Sequence, residues 1–269
     1  MIEAVVFYRD PAWRWIPAIA LALTGGIALS GTNIDLFLLI NHAGEYLPNI
    51  FWEPVTLCGN TLLALALLTP WLGKKPYSIW ATFLAAIPGS IFARLLKAII
   101  DVPRPPAVLP DNMLHVIGPA YQHSSFPSGD ALTIFVVMGI VWFTYRDWRV
   151  RTVALSFAIL VAISRIAVGV HWPIDVLVGA AAGWTSAWIG VWAAPRWQWG
   201  ATPAGRKFCA SLLLVCALAL FYQDMKLPEA ASFRWIVATI ATMLAARLLL
   251  WPLARSTYER WHTKEWVIE

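Results

Sequence analysis

Long apolar stretches, separated by short polar or Pro/Gly-rich connections, make up most of this chain. The first covers about residues 15–30, with Trp13 and Trp15 at its start, where aromatic side chains favour a membrane interface. Others cover about 51–72, 78–100, 127–145, 152–168, 173–194, 208–222 and 233–253. Roughly 20 apolar residues carry a helix across the hydrocarbon of a bilayer. The pattern therefore predicts an all-α polytopic membrane helix bundle of eight spans, the seventh being short, with six or seven as the alternative count. Between the first two, residues 32–49 mix Ile34, Leu36, Phe37 and Leu38 with Asp35 and Glu45 and hold no Lys or Arg, which predicts an amphipathic segment at the membrane surface. Pro103, Pro105 and Pro106 stop the third span, and Pro127 is expected as the first residue of the fourth helix. The intervening connection has the length and polarity of a functional loop.

Composition strengthens the membrane reading. The 269 residues are 59% hydrophobic and 13% charged, against about 25% charged in an ordinary soluble domain. The net charge of +5 is spread over short loops instead of forming a stripe, which argues against nucleic acid as a partner. Cys58, Cys209 and Cys216 lie in or near apolar runs without metal-ligand spacing and read as small hydrophobes. The opening Met1-Ile2-Glu3-Ala4 has no basic region leading to a cleavage site, so no removable signal is expected.

With eight spans, one side collects Arg9, Arg14, Lys74, Lys75, Arg146, Arg149, Arg151, Arg196, Arg206, Lys207, Arg255, Arg260 and Lys264. The other holds Arg94, Lys97, Arg104, Arg165, Lys226 and Arg234. The positive-inside rule then predicts cytoplasmic termini in a bacterial-type inner (plasma) membrane. Three clusters of chemistry-bearing residues fall at span ends on the opposite, periplasmic or extracellular side. They are Lys97 with Arg104-Pro105, then Phe126-Pro127-Ser128-Gly129-Asp130, and then Ser164-Arg165 followed by His171 and Asp175. A site there faces outer-leaflet headgroups in a compartment without ATP.

Transfer of a phosphoryl group needs fixed donors around its oxygens, and Lys97, Arg104 and Arg165 are such donors. Ionisable groups at the membrane are expensive unless paired or used, although any one of these cations alone reads as snorkelling to headgroups. Ser128 and Gly129 stand at a helix start, where free amides attract an anion. Asp175 follows His171 by four residues, a spacing that lets a carboxylate orient one imidazole nitrogen and leave the other as nucleophile.

Taken together, Lys97-x6-Arg104-Pro105, Phe126-Pro127-Ser128-Gly129 and Ser164-Arg165-x5-His171-x3-Asp175 resemble the three-part signature of the type 2 phosphatidic acid phosphatase family, related to the vanadium haloperoxidases. The resemblance covers about residues 51–194. It implies a six-helix membrane core, chemistry without a metal or other cofactor, and a phosphohistidine intermediate. It assigns Lys97, Arg104, Ser128, Gly129 and Arg165 to phosphate binding, His171 to attack and Asp175 to its orientation. Residues 1–200 then form the family-like core, and 201–269 add further transmembrane helices and a cytoplasmic tail within one integral membrane domain.

One departure stands out. Asp130 occupies the position where the family ordinarily places the histidine that protonates the leaving oxygen. Three readings stay open: Asp130 as an acid raised by its pocket, His123 or His115 from the same loop as substitute, or a leaving group that needs little help. The last favours a diphosphate, because a departing phosphate is a weaker base than an alkoxide. The expected function is a lipid phosphatase acting on an outer-leaflet lipid of the polyprenyl diphosphate, phosphatidylglycerol phosphate or lipid A type. The competing readings are a lipid-to-lipid phosphotransferase and a catalytically impaired lipid-phosphate binding or transport protein. Oligomeric state is not legible in the sequence.

Overall fold

The computed structural model describes residues 10–264, with side chains to residue 250. Arg9 and the first four residues lie outside that range, and the expected sidedness of Arg255, Arg260 and Lys264 falls where no side chain is described. Among the described residues the fold is all-α. Helices α1 (Ala12–Ser30), α2 (Asn33–Gly44), α3 (Asn49–Leu57) and α4 (Thr61–Ala66) are followed by α5 (Pro76–Ile99) and the short α6 (Pro105–Val108). After a long loop come α7 (Gly129–Thr144), α8 (Trp148–Ala167), α9 (Pro173–Ala193), α10 (Pro203–Tyr222) and α11 (Ala231–Lys264). Six of these, α1, α5, α8, α9, α10 and α11, are long and apolar enough to cross a membrane by themselves.

Three expectations change. The second span is not one helix: α3 and the segment Thr61–Trp71 meet at an angle of 71°. Asn60 causes the break, since its extended backbone ends the path of α3 while its Oδ1 accepts the amides of Leu62 and Leu63 and so starts α4 afresh. The fourth helix begins at Gly129 instead of Pro127, with Ser128 as its N-cap and only 16 residues in its length. The seventh span is not short, because Thr202 accepts the Gly205 amide and starts α10 at Pro203, giving 20 residues.

The centre of the bundle is α9, packed between α7, α5 and α1. Small residues let it come close: a Cβ on Gly179 would stand 2.5 Å from the Ser128 carbonyl, and one on Gly183 would strike the Leu132 carbonyl. Fully buried Trp184 fills the space beside them, ringed by Phe135, Trp142 and Phe143, and its indole donates to the Ala12 carbonyl at 3.0 Å. That bond fastens α1 to α9. Helix α2 lies across the end of α8 and buries Phe37 against the Trp172 ring at 5.1 Å. Helices α10 and α11 pair with each other and lean on α4.

Candidate active site

The loop between α5 and α7 is the scaffold of the site, and its two arms run side by side. Arg104 N donates to Gln122 O and Ser125 N to Val102 O, both at 2.9 Å. Trp172 Nε1 donates to Pro103 O at 2.9 Å, tying the loop to the start of α9. Buried Asn41 on α2 holds the middle: its Nδ2 reaches His115 O at 2.8 Å and Ala167 O at 2.9 Å, and its Oδ1 accepts the His115 amide at 2.8 Å. The loop is therefore bonded to α2, the end of α8 and the approach to α9.

Against this scaffold lies a cavity of about 260 Å³. Its polar lining includes Lys97 at the end of α5, Arg104 in the loop, Gly129 and Asp130 at the start of α7, Arg165 in the last turn of α8, and His171 just before α9. A Cβ built on Gly129 meets nothing within 4 Å, so the backbone there is open to an approaching group.

His171 is only 2% exposed. Its Nε2 lies 3.4 Å from an Arg104 nitrogen on the cavity side. Its Nδ1 lies 3.5 Å from Asp175 Oδ2 and 3.4 Å from Ser125 Oγ. The carboxylate is itself anchored, because Asp175 Oδ2 accepts from Ser125 Oγ at 2.5 Å and from the Trp172 amide at 2.9 Å. As the third residue of α9, Asp175 thus satisfies the amide of the N-cap Trp172 and orients the imidazole at once. Burial pushes the imidazole from its ordinary 6.5 down to about 4; Arg104 and Arg165 add to that fall and the bond to Asp175 opposes it. The ring is neutral at neutral pH, with a free electron pair.

The cations are held by backbone and by one another's neighbours. Lys97 Nζ donates to Ser124 O at 3.1 Å. Arg104 donates through Nε to His123 O at 2.9 Å and through Nη1 to Val170 O at 3.1 Å, with Tyr121 against its guanidinium at 5.0 Å. Arg165, 9% exposed, donates to Thr56 Oγ1 at 2.6 Å and pairs with Asp130 at 2.9 Å.

Ser128, expected to bind phosphate, makes its bonds inside the fold. It is fully buried, its Oγ caps Ala131 N at 3.4 Å, and its amide donates to Asp175 O at 3.0 Å, so it does not reach the cavity. The candidate acids His123 and His115 do not line the cavity either; the loop uses their main chains, to bind Arg104 and Asn41. Asp130 does line it, as the acceptor of the Arg165 ion pair.

Ser125, Tyr121 and Thr56 join the site without having been singled out by sequence. Ser125 stands three residues before Ser128, where a polar run before a Pro-Ser-Gly turn was the available signal. Thr56 sits in an apolar stretch and reaches Arg165 only through the fold. Residues from outside the motifs also wall the cavity, among them Leu57, Asn60, Met225 and Leu227.

Known proteins resemble this chain in sequence and in fold. The sequence model of the PAP2 superfamily matches residues 77–199. The undecaprenyl-diphosphatase of Sulfolobus acidocaldarius is 29% identical over 176 residues, covering 61% of this chain and 79% of that protein. The crystal structure of Aquifex aeolicus LpxE superposes with a TM-score of 0.54 at 27% identity, over 59% of this chain and 94% of the other. The Bacillus subtilis PAP2-type phosphatidylglycerolphosphate phosphatase shares the fold, with a TM-score of 0.51 at 21% identity over 69% and 97% of the two chains. The matched segment carries all three motifs around the cavity, and over residues 77–199 this membrane protein is similar to the PAP2 superfamily.

Proposed function

We propose that this protein is a PAP2-type phosphatase that removes the terminal phosphate of a lipid diphosphate at the outer face of the cytoplasmic membrane, through a phosphohistidine on His171. The observation that carries the reading is the neutral imidazole of His171, with its Nε2 on the same cavity wall as Lys97, Arg104 and Arg165. Asp175 and Ser125 hold the other nitrogen, so attack runs through Nε2.

In the first step an N–P bond forms at Nε2 as the bond from phosphorus to the bridging oxygen breaks, and the lipid monophosphate leaves. The three cations and the open backbone at Gly129 face the phosphoryl oxygens, whose charge must be held in the transition state. Asp175 stabilises the substituted, positively charged ring. In the second step water attacks phosphorus, the N–P bond breaks, inorganic phosphate leaves and the imidazole returns neutral. Charge is balanced by side chains alone in this scheme, so phosphate release is expected to continue unchanged in excess chelator; loss of activity restored by a divalent cation would contradict it.

The preference for a diphosphate rests on Asp130. Asp130 Oδ2 accepts from the Arg165 guanidinium at 2.9 Å, which turns that oxygen toward the cation and away from the work of meeting a departing alkoxide. A departing phosphate needs no proton there. The relative named as an undecaprenyl-diphosphatase supports the same substrate class. Purified protein is expected to turn over a prenyl diphosphate faster than a phosphatidic acid or another lipid monoester, and the reverse order would overturn the assignment. The Asp130→His variant should raise the ratio of monoester to diphosphate turnover about tenfold or more, since a positioned general acid contributes roughly 10²–10⁴-fold where the leaving group needs it.

A further inference from the structure

The loop joining α10 and α11 lies outside the 77–199 segment that the superfamily model covers, yet it reaches the cavity. Met225 and Leu227 line the same space as His171 and the three cations. The loop is held in place from three directions. Glu53 of α3, 2% exposed, accepts the amides of Glu229 at 2.7 Å and Ala230 at 3.2 Å through one carboxylate oxygen. Asn60, at the break between α3 and α4, points its Nδ2 at Met225 Sδ, 3.7 Å away. Leu227 presses on the motif loop so closely that a Cβ on Gly118 would stand 2.8 Å from its Cδ2.

A buried carboxylate in an apolar stretch is costly unless it has a task. Here the task is to fix a loop whose two half-buried side chains face the reaction site. Between Met225 and Leu227, Lys226 takes a left-handed conformation with φ of 52°, which allows the side chains on either side of it to meet the cavity. An apolar wall facing a phosphate pocket has nothing to offer the phosphate. It suits the aliphatic chain that the phosphate carries, and methionine adapts readily to an irregular hydrocarbon.

We propose that Met225 and Leu227 are specificity-determining residues that seat the first carbons of the lipid tail, with Glu53 as the positioning residue that holds their loop. This rests on the hydrolase reading above. Farnesyl diphosphate serves as the tailed probe, and inorganic diphosphate, measured as a competitive inhibitor, as the tail-free one. In the Met225→Ser and Leu227→Ser variants, KM for farnesyl diphosphate should rise about tenfold, the loss of roughly one buried aliphatic contact. Both kcat and the inhibition constant of inorganic diphosphate should stay within about twofold. Glu53→Ala leaves both wall side chains in the chain and frees the loop; it should raise the same KM with kcat kept. An unchanged KM, or a fall in kcat in place of the rise in KM, would overturn the proposal. Failure of the wild-type protein to release phosphate from farnesyl diphosphate or any other lipid diphosphate would instead refute the hydrolase reading on which it stands.

Discussion

Replacing His171 with glutamine is expected to lower phosphate release by about 10⁴-fold or more, the scale on which removal of a nucleophile acts. The cavity keeps its three cations, so binding of a lipid diphosphate should survive while turnover disappears. Wild-type protein quenched in alkali during turnover should carry a labelled phosphate that is stable there and lost in acid, as expected of a phosphorylated imidazole. The variant should carry none. Residual turnover within about tenfold of wild type would remove His171 from the reaction.

The same residue makes a prediction about pH. Its imidazole faces Arg104 and Arg165 on one side and Asp175 on the other, with Lys97 and Asp130 lining the same cavity. Burial, with the two guanidinium groups, outweighs the carboxylate and pushes its titration down to about 4. The folded state thus refuses a proton that the unfolded chain accepts near 6.5. His171 favours the folded state fully above pH 6.5, and that contribution is lost as pH falls from there through about 4. The nucleophile itself stays neutral over most of this window and takes up its proton only at the lower end, near 4. A ¹³C-histidine resonance absent from the His171→Gln spectrum should titrate near 4, and a midpoint near 6.5 would show the ring to be solvated.

The second large effect is expected at Arg165. Truncation to alanine removes a guanidinium that lines the cavity and leaves Thr56 and Asp130 without their partner. We expect kcat/KM to fall about 10³-fold, the upper end of what one fixed donor contributes to a charged transition state. Part of that loss comes from the carboxylate of Asp130, which would then face the incoming phosphate unpaired. Adding Asp130→Asn to Arg165→Ala should therefore recover some activity, whereas Asp130→Asn alone should not raise it. A double variant as poor as the product of the two single losses would show that the pair is not coupled.

The spans were legible because hydrocarbon imposes a length and an apolar composition on any helix that crosses it, and 78–100, 152–168 and 173–194 needed no further information to be placed within a few residues of α5, α8 and α9. The break at Asn60 was harder to see. One amide side chain capping a new helix inside an apolar run leaves only a small mark on hydropathy. Glu53 did carry a signal, a carboxylate among apolar neighbours, but its partners are amides 176 and 177 residues away.

The motif residues were named from sequence because the reaction demands their types: donors for phosphate, an imidazole to attack, a carboxylate to aim it. Local order along the chain was enough to put Asp175 one turn from His171. It was not enough to separate Ser128, whose hydroxyl and amide are consumed inside the fold, from Gly129, whose backbone is open. Nor did it reveal that Asp130 meets Arg165, that Thr56 supports the same guanidinium, or that the loop after α10 closes one side of the cavity. Chemistry and membrane thickness act on residue type and run length, which a linear sequence displays. Hydrogen-bond partners and cavity walls depend on contacts between distant stretches, and those exist only once the helices have packed.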